Sequence, residues 1–316
     1  MRPAILKAVR HKTLTLLSAA VFAFAAVGLA VVTHDEAAAA PAAGKSTERV
    51  GTGANPRTFE MYRPAGLSGP SPLVVVLHGG YGSGRQAENS YHWDAQADRG
   101  RFVAVFPDGV GRSWNAGTCC GPAQQRDVDD VAFIRAVIER AAELQPIDRS
   151  RVFVTGMSNG AMMAYRLACE TDLFAAAAPV AGTLVTDCAD AAPTSLLHIH
   201  GTADESVRYG GGPGRAHNIR GTARVDGAPV PQAVATFRRA GDCPEPTTRR
   251  SGETITSTAE CPGGRTVQLI SIVGTGHQWP GASSRPVASV LRPGDRPSQA
   301  LDATTAIWDF FAEHGR

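Results

Sequence analysis

Three polar side chains in this sequence could together carry out acyl transfer: Ser158, Asp204 and His277. A serine hydroxyl attacks a carbonyl only when a base takes its proton, a carboxylate orients that base, and N–H groups receive the oxyanion. Ser158 lies in Gly156-Met157-Ser158-Asn159-Gly160, after the apolar run Arg151 to Thr155 and before the helix-patterned Ala161 to Leu167. Strand, Gly-x-Ser-x-Gly, helix is the order of a nucleophile elbow. The turn leaves room only for glycine at its flanks, and it holds the serine in a strained backbone with its hydroxyl out at the helix N-terminus.

The partners are chosen by position. Asp204 follows the apolar run Leu196 to Gly201, and His277 follows the run Val267 to Val273. Each lies one loop beyond a strand, where sites collect on parallel sheets. The order serine, acid, histidine suits this arrangement. Asp108 also follows a strand, but it precedes the serine and sits in a Pro-Asp-Gly turn. Among the histidines, His198 and His200 share one strand face and point inward, and His78 shapes the loop it opens. Only His277 lies in a Gly-bounded loop near the C-terminus.

For the oxyanion, the elbow requires the N–H of Asn159. The second donor is the N–H of Gly80 or Tyr81, with Gly80 preferred, in the glycine loop that follows the buried run Pro72 to Leu77. Trp114 and Trp279 are placed as cleft walls, flat surfaces for an aromatic or sugar ring. Asp129 and Asp130 read as capping carboxylates at the start of a helix over Asp127 to Leu144.

The elements that must position these groups alternate between strand and helix. Strands are expected at Arg57–Arg63, Pro72–Leu77, Phe102–Phe106, Arg151–Thr155, Phe174–Gly182, Leu196–Gly201 and Val267–Val273. Helices are expected after the serine, at Val230–Ala240 and at about Ala300–Glu313. The continuous apolar runs predict a mostly parallel sheet flanked by helices, an α/β fold. The Glu205 to Thr266 region, which contains a Gly-rich loop at Tyr209–Gly214, is expected to be an insertion over the site. With 316 residues, residues 57–316 form one catalytic domain, preceded by a flexible lead-in over 43–56.

Residues 1–42 read as a secretory signal peptide. Arg2, Lys7, Arg10 and Lys12 precede an uncharged, mostly apolar stretch from Leu14 to Val32, and Ala40-Pro41-Ala42 fits small-x-small cleavage before Ala43. The rival reading is an uncleaved membrane anchor, since the apolar stretch is nearly long enough to span a bilayer. Cleavage leaves no stable membrane insertion and places the enzyme outside the cell. All six cysteines follow this segment, as an oxidising compartment permits, and Cys243 with Cys261 is the favoured pair. Without Cys-x-x-Cys or a nearby His pair, no metal or other cofactor is expected. A net charge of +2, with no basic cluster, argues against a nucleic-acid partner.

Seven segments together resemble one family: the secreted esterases grouped with polyhydroxybutyrate depolymerases and feruloyl or acetylxylan esterases (carbohydrate esterase family 1-like), within the α/β-hydrolase superfamily. They are Leu77–Gly80, Trp114-Asn115 with Cys119–Gly121, Val128–Val131, Gly156–Gly160, Phe174–Ala176 with Ala181-Gly182, His200–Asp204 and Gly276–Gly281. The resemblance implies an α/β-hydrolase fold and a Ser158, Asp204, His277 triad acting on a small or polymer-attached ester. Met157, Asn159 and His277-x-Trp-Pro-Gly look more like the feruloyl-esterase side. A short-chain polyhydroxyalkanoate is the alternative substrate. Only one helix follows His277, so tight adsorption to solid polyester is not expected. A non-catalytic surface-binding protein on a hydrolase scaffold is the distant alternative.

Overall fold

The computed structural model describes residues 43–51, 56–215, 224–282 and 298–315. The signal peptide expected over 1–42 lies outside them.

Ten strands make the main sheet: β1 (Gly44–Val50), β2 (Arg57–Arg63), β3 (Ser71–Leu77), β4 (Val103–Pro107), β5 (Ile147–Met157), β6 (Ala176–Val180), β7 (Ser195–Gly201), β10 (Thr247–Ser251), β11 (Thr254–Cys261) and β12 (Arg265–Ile272). A two-stranded ribbon, β8 (Gly212–Pro213) with β9 (Asp226–Gly227), lies between β7 and β10 in sequence. The helices are α1 (Gly84–Tyr91), α2 (Trp93–Gly100), α3 (Gly121–Gln125), α4 (Asp130–Leu144), α5 (Asn159–Glu170), α6 (Val230–Ala240) and α7 (Ala303–Glu313).

The strand order is β1-β2-β4-β3-β5-β6-β7-β12-β11-β10. The central strands from β4 to β12 are all parallel, and the flanking pairings on both sides are antiparallel. Every residue of β3, β4, β6 and β7 is buried, as expected for strands covered on both faces. Successive residues point to opposite faces, so β3 divides its side chains. Leu73, Val75 and Leu77 join Ile134, Val137, Leu167 and Phe237 from α4, α5 and α6 in one apolar layer. Val74 and Val76 join Ala87, Ala97, Ile307 and Phe311 from α1, α2 and α7 in the other.

Two expectations are corrected. The lead-in over 43–56 is in part a strand: Gly44 to Val50 pairs antiparallel with β2, from Gly44 opposite Arg63 to Val50 opposite Arg57. It is an edge strand with mostly exposed side chains, so it carries no apolar run. Thr47 donates to the Glu60 carboxylate at 2.6 Å and Lys45 pairs with Glu88 at 3.2 Å, which supplies polar cross-links instead. The Glu205–Thr266 region is not one cover. Its later half extends the sheet as β10 and β11, while α6 packs on the apolar layer beside Tyr165. Its earlier half reaches the loop after β3, where the Arg224 guanidinium lies 5.4 Å from the centre of the Tyr81 ring.

Three disulfides join Cys119–Cys120, Cys169–Cys188 and Cys243–Cys261. The expected Cys243–Cys261 pair is among them.

Candidate active site

At the elbow, β5 turns into α5 within one residue. Ser158 has φ 56° and ψ −119°, a strained conformation for a residue with a Cβ. The turn holds because its neighbours approach closely: a Cβ on Gly156 would lie 2.7 Å from the Gly160 backbone, and one on Gly160 would collide with the Leu77 carbonyl. Ser158 N–H donates to Val180 C=O at 2.9 Å, tying the elbow to β6.

The candidate acid, Asp204, and the candidate base, His277, follow neighbouring strands. β7 and β12 pair in parallel, so their following loops leave the same sheet edge side by side. Those loops are laced together: Thr202 N–H to Ile272 C=O at 3.0 Å, Ala203 N–H to Thr275 C=O at 2.9 Å, and Gly274 N–H to Thr202 Oγ1 at 2.9 Å. The result is a 2.8 Å contact between His277 Nδ1 and Asp204 Oδ2. Asp204 Oδ1 accepts from the N–H groups of Ser206 and Val207, both at 2.8 Å, which fixes the carboxylate plane. Burial of Asp204 alone would raise its pKa. The facing His277 charge, with hydrogen bonds from His200 and His277, outweighs burial and holds the carboxyl well below its usual range.

The glycine loop expected to hold the oxyanion follows β3, the neighbour of β5. Gly79 and Gly80 lie against the elbow, a Cβ on Gly79 reaching 3.6 Å from Ser158 Cβ and one on Gly80 reaching 3.9 Å from Asn159 Cβ. Tyr81 N–H already donates to Arg112 C=O at 2.8 Å, which leaves Gly80 as the candidate second donor beside Asn159. His78 braces the loop. Its Nδ1 donates to Gly79 C=O at 2.7 Å, and its Nε2 accepts from Gly109 N–H at 3.0 Å. Burial lowers its pKa, so it is a neutral strut rather than a base.

The tryptophans are not cleft walls. Trp114 is 0% exposed, and its indole N–H donates to His78 C=O at 2.9 Å. Asn159 grips the Trp114 backbone from both sides, Oδ1 accepting from its N–H at 2.7 Å and Nδ2 donating to its C=O at 3.0 Å. Trp279 is 2% exposed, stacks on Tyr91 at 4.3 Å, and donates to Thr304 Oγ1 at 3.1 Å. It anchors the His277 loop to α7. Both indoles find hydrogen-bond partners inside, which removes the reason to face solvent. Among the described residues, the large aromatic exposed near the site is Tyr81, 66% exposed with φ 65°.

The two aspartates expected as caps divide. Asp129 caps α4, accepting from Ala132 N–H at 2.8 Å. Asp130 is 0% exposed and takes Arg57 Nη2 at 2.7 Å and Asn115 N–H at 2.7 Å, so it is half of a buried ion pair. The guanidinium also lies over the Phe133 ring at 3.4 Å. Asp108 accepts from Gly84 N–H and Thr58 Oγ1, a structural turn. Missed in the sequence was the contact of His200 with Asp204; two histidines one strand-step apart before the acid were its signal.

This mostly parallel sheet, with a strained serine between β5 and α5 and an aspartate–histidine pair beyond β7 and β12, defines an α/β-hydrolase. Residues 107–192 match the prolyl oligopeptidase family model. The chain is 32% identical to "Putative esterase NocK" of Nocardia uniformis subsp. tsuyamanensis, over 75% of this chain and 73% of that one. It is 30% identical to feruloyl esterase B of Piromyces equi, over 68% of this chain and 41% of that one. Poly(3-hydroxyalkanoate) depolymerase C of Paucimonas lemoignei is 33% identical, with 41% of this chain and 33% of that one covered. The chain thus spans less than half the length of these last two. An acetyl xylan esterase structure from Aspergillus awamori superposes with a TM-score of 0.57 at 16% identity, over 85% of this chain and 99% of that one. The chain belongs to this family of esterases, serine hydrolases of the α/β-hydrolase superfamily.

Proposed function

We propose that the protein hydrolyses carboxylic esters through an acyl-enzyme on Ser158. His277 takes the hydroxyl proton as Ser158 attacks the carbonyl carbon, and Asp204 orients and stabilises the imidazolium. The N–H groups of Asn159 and Gly80 receive the oxyanion. Collapse of the tetrahedral species expels the alcohol, which takes its proton from His277. Water, activated by the same imidazole, then releases the acid. The observation that carries this reading is the 2.8 Å His277–Asp204 contact, one sheet edge with the strained Ser158.

The substrate is a feruloyl- or acetyl-type ester of plant polysaccharide, met outside the cell. Relatives named for those esters support it, as does the exposed Tyr81 ring beside the oxyanion loop. Export is supported by three disulfides. Among the described residues, no helix is long and apolar enough to cross a membrane.

An ester panel tests the reading: acetate, longer acyl chains, methyl ferulate and polyhydroxybutyrate, with wild type and Ser158→Ala. The expected result is turnover of acetyl and feruloyl esters, lost by more than about a thousandfold in the variant. Clearing of polyhydroxybutyrate without ferulate release would overturn the substrate assignment in favour of the polyester. Unchanged activity in Ser158→Ala would overturn the mechanism.

A further inference from the structure

His198 and His200 lie two residues apart on β7, so their rings share one face of the sheet. They are 0% and 1% exposed, and a buried imidazole needs partners at both nitrogens. The partners form a single file. Tyr165 Oη lies 2.8 Å from His198 Nδ1, His198 Nε2 lies 2.9 Å from His200 Nδ1, and His200 Nε2 lies 2.8 Å from Val207 C=O. The same His200 Nε2 is 3.3 Å from Asp204 Oδ2, the oxygen that also receives His277.

The Val207 carbonyl fixes the direction at the end of the file. A carbonyl oxygen only accepts, so His200 Nε2 carries its hydrogen. With His200 in its neutral form, its Nδ1 accepts from His198 Nε2–H. His198 Nδ1 then accepts in turn, and the Tyr165 hydroxyl donates. Burial holds His198 neutral, its pKa well below the ordinary value. Phe237 flanks Tyr165, and Tyr209 meets His200 edge-on at 5.9 Å while its own hydroxyl is engaged with Ser271.

We propose that Tyr165, His198 and His200 are positioning residues for the reaction: a one-way hydrogen-bond chain that ends in the His200 Nε2–H, shared between Val207 C=O and Asp204 Oδ2. The chain rests on the Ser158–His277–Asp204 reading. Its second donor fixes the carboxylate against His277 and shares part of its negative charge. Neither imidazole touches the reacting atoms. Polarisation along the file strengthens the terminal donor.

The test uses purified full-length enzyme, a chromogenic acetate ester, and fluorophosphonate titration to count active sites. His200→Leu, His200→Gln, Tyr165→Phe and Ser158→Ala are compared across pH. Per active site, His200→Leu loses about tenfold in kcat with KM within about twofold. The acid limb of its kcat/KM profile moves to higher pH by about half a unit, because the less neutralised carboxylate favours the His277 imidazolium more strongly. His200→Gln, whose amide N–H can reach the same acceptors, returns both to near wild type. Tyr165→Phe shifts the limb in the same direction by less. A packing role alone would lower the number of active sites and leave the profile of the remainder unmoved. Wild-type kcat and profile in His200→Leu, with Ser158→Ala inactive, would overturn the chain and spare the triad. If His200→Leu yields no folded enzyme, Tyr165→Phe decides, and an unmoved profile there overturns the proposal. An active Ser158→Ala would overturn the triad itself.

Discussion

Asn159→Ala isolates the grip that the elbow helix has on the segment before α3. The side chain is 3% exposed and makes two bonds, accepting from Trp114 N–H at 2.7 Å and donating to Trp114 C=O at 3.0 Å. The two losses are unequal. Trp114 C=O also accepts from Cys120 N–H at 3.2 Å and keeps that partner, whereas Trp114 N–H is left unsatisfied in a dry interior. One buried orphan donor costs about 1–3 kcal/mol, and the lost second bond adds about 1 kcal/mol, for a total near 3 kcal/mol. At about 2–4 °C per kcal/mol for a domain of this size, the midpoint falls by about 6–12 °C. Because the proposed oxyanion donor is the Asn159 backbone N–H, kcat/KM falls by less than about tenfold at a temperature where the variant is folded. Asn159→Asp sharpens the experiment. Its carboxylate still accepts from Trp114 N–H but sets a second oxygen against Trp114 C=O, and burial raises its folded pKa above the unfolded value of about 4. Protonation therefore stabilises the folded state, so the deficit of Asn159→Asp is smallest near pH 4 and grows as pH rises toward 7. Differential scanning calorimetry and urea titration read both effects. A midpoint within 2 °C of wild type for Asn159→Ala, or a pH-independent deficit for Asn159→Asp, would refute the reasoning.

Two further outcomes follow from the buried charges. Arg57→Met leaves the fully buried Asp130 carboxylate without its cation and destabilises the fold by about 3–5 kcal/mol; Arg57→Met with Asp130→Leu recovers part of the loss. Strictly additive urea-denaturation energies for the two substitutions would contradict the pairing. Asp204 is a carboxyl whose folded pKa lies below its unfolded value, so its contribution is present above about pH 4 and is lost as pH falls toward the folded value. The stability gap between wild type and Asp204→Asn accordingly narrows below about pH 4, and a gap unchanged between pH 6 and pH 3 in urea titrations would contradict it.

What the sequence made legible was whatever announces itself locally. Val230–Ala240 and the continuous run ending at Leu77 have the period or the apolar density of their elements, and the structure forms both there. The loops after β7 and β12 could be matched to Asp204 and His277 because both strands are apolar and parallel. Less local features were lost. Gly44–Val50 is stabilised by pairing with β2 and by polar cross-links, neither of which leaves a hydrophobic pattern. Helices α1 and α2, over 84–100, are interrupted at His92 in a left-handed conformation, so neither turns often enough to show a long period. Trp114 and Trp279 stand next to site residues in sequence, and proximity along the chain says nothing of which way a ring faces. Asp130 looked like a cap because its cation, Arg57, is 73 residues away.

Ser158 is the proposed nucleophile on which the mechanism depends. The most direct measurement is the mass of the enzyme after exposure to a fluorophosphonate, with the modified peptide mapped. The account predicts one phosphonyl group per chain on the peptide that contains Ser158, with esterase activity lost in proportion to labelling. Folded protein that stays unlabelled, or an adduct on another residue with activity lost in step, would contradict it.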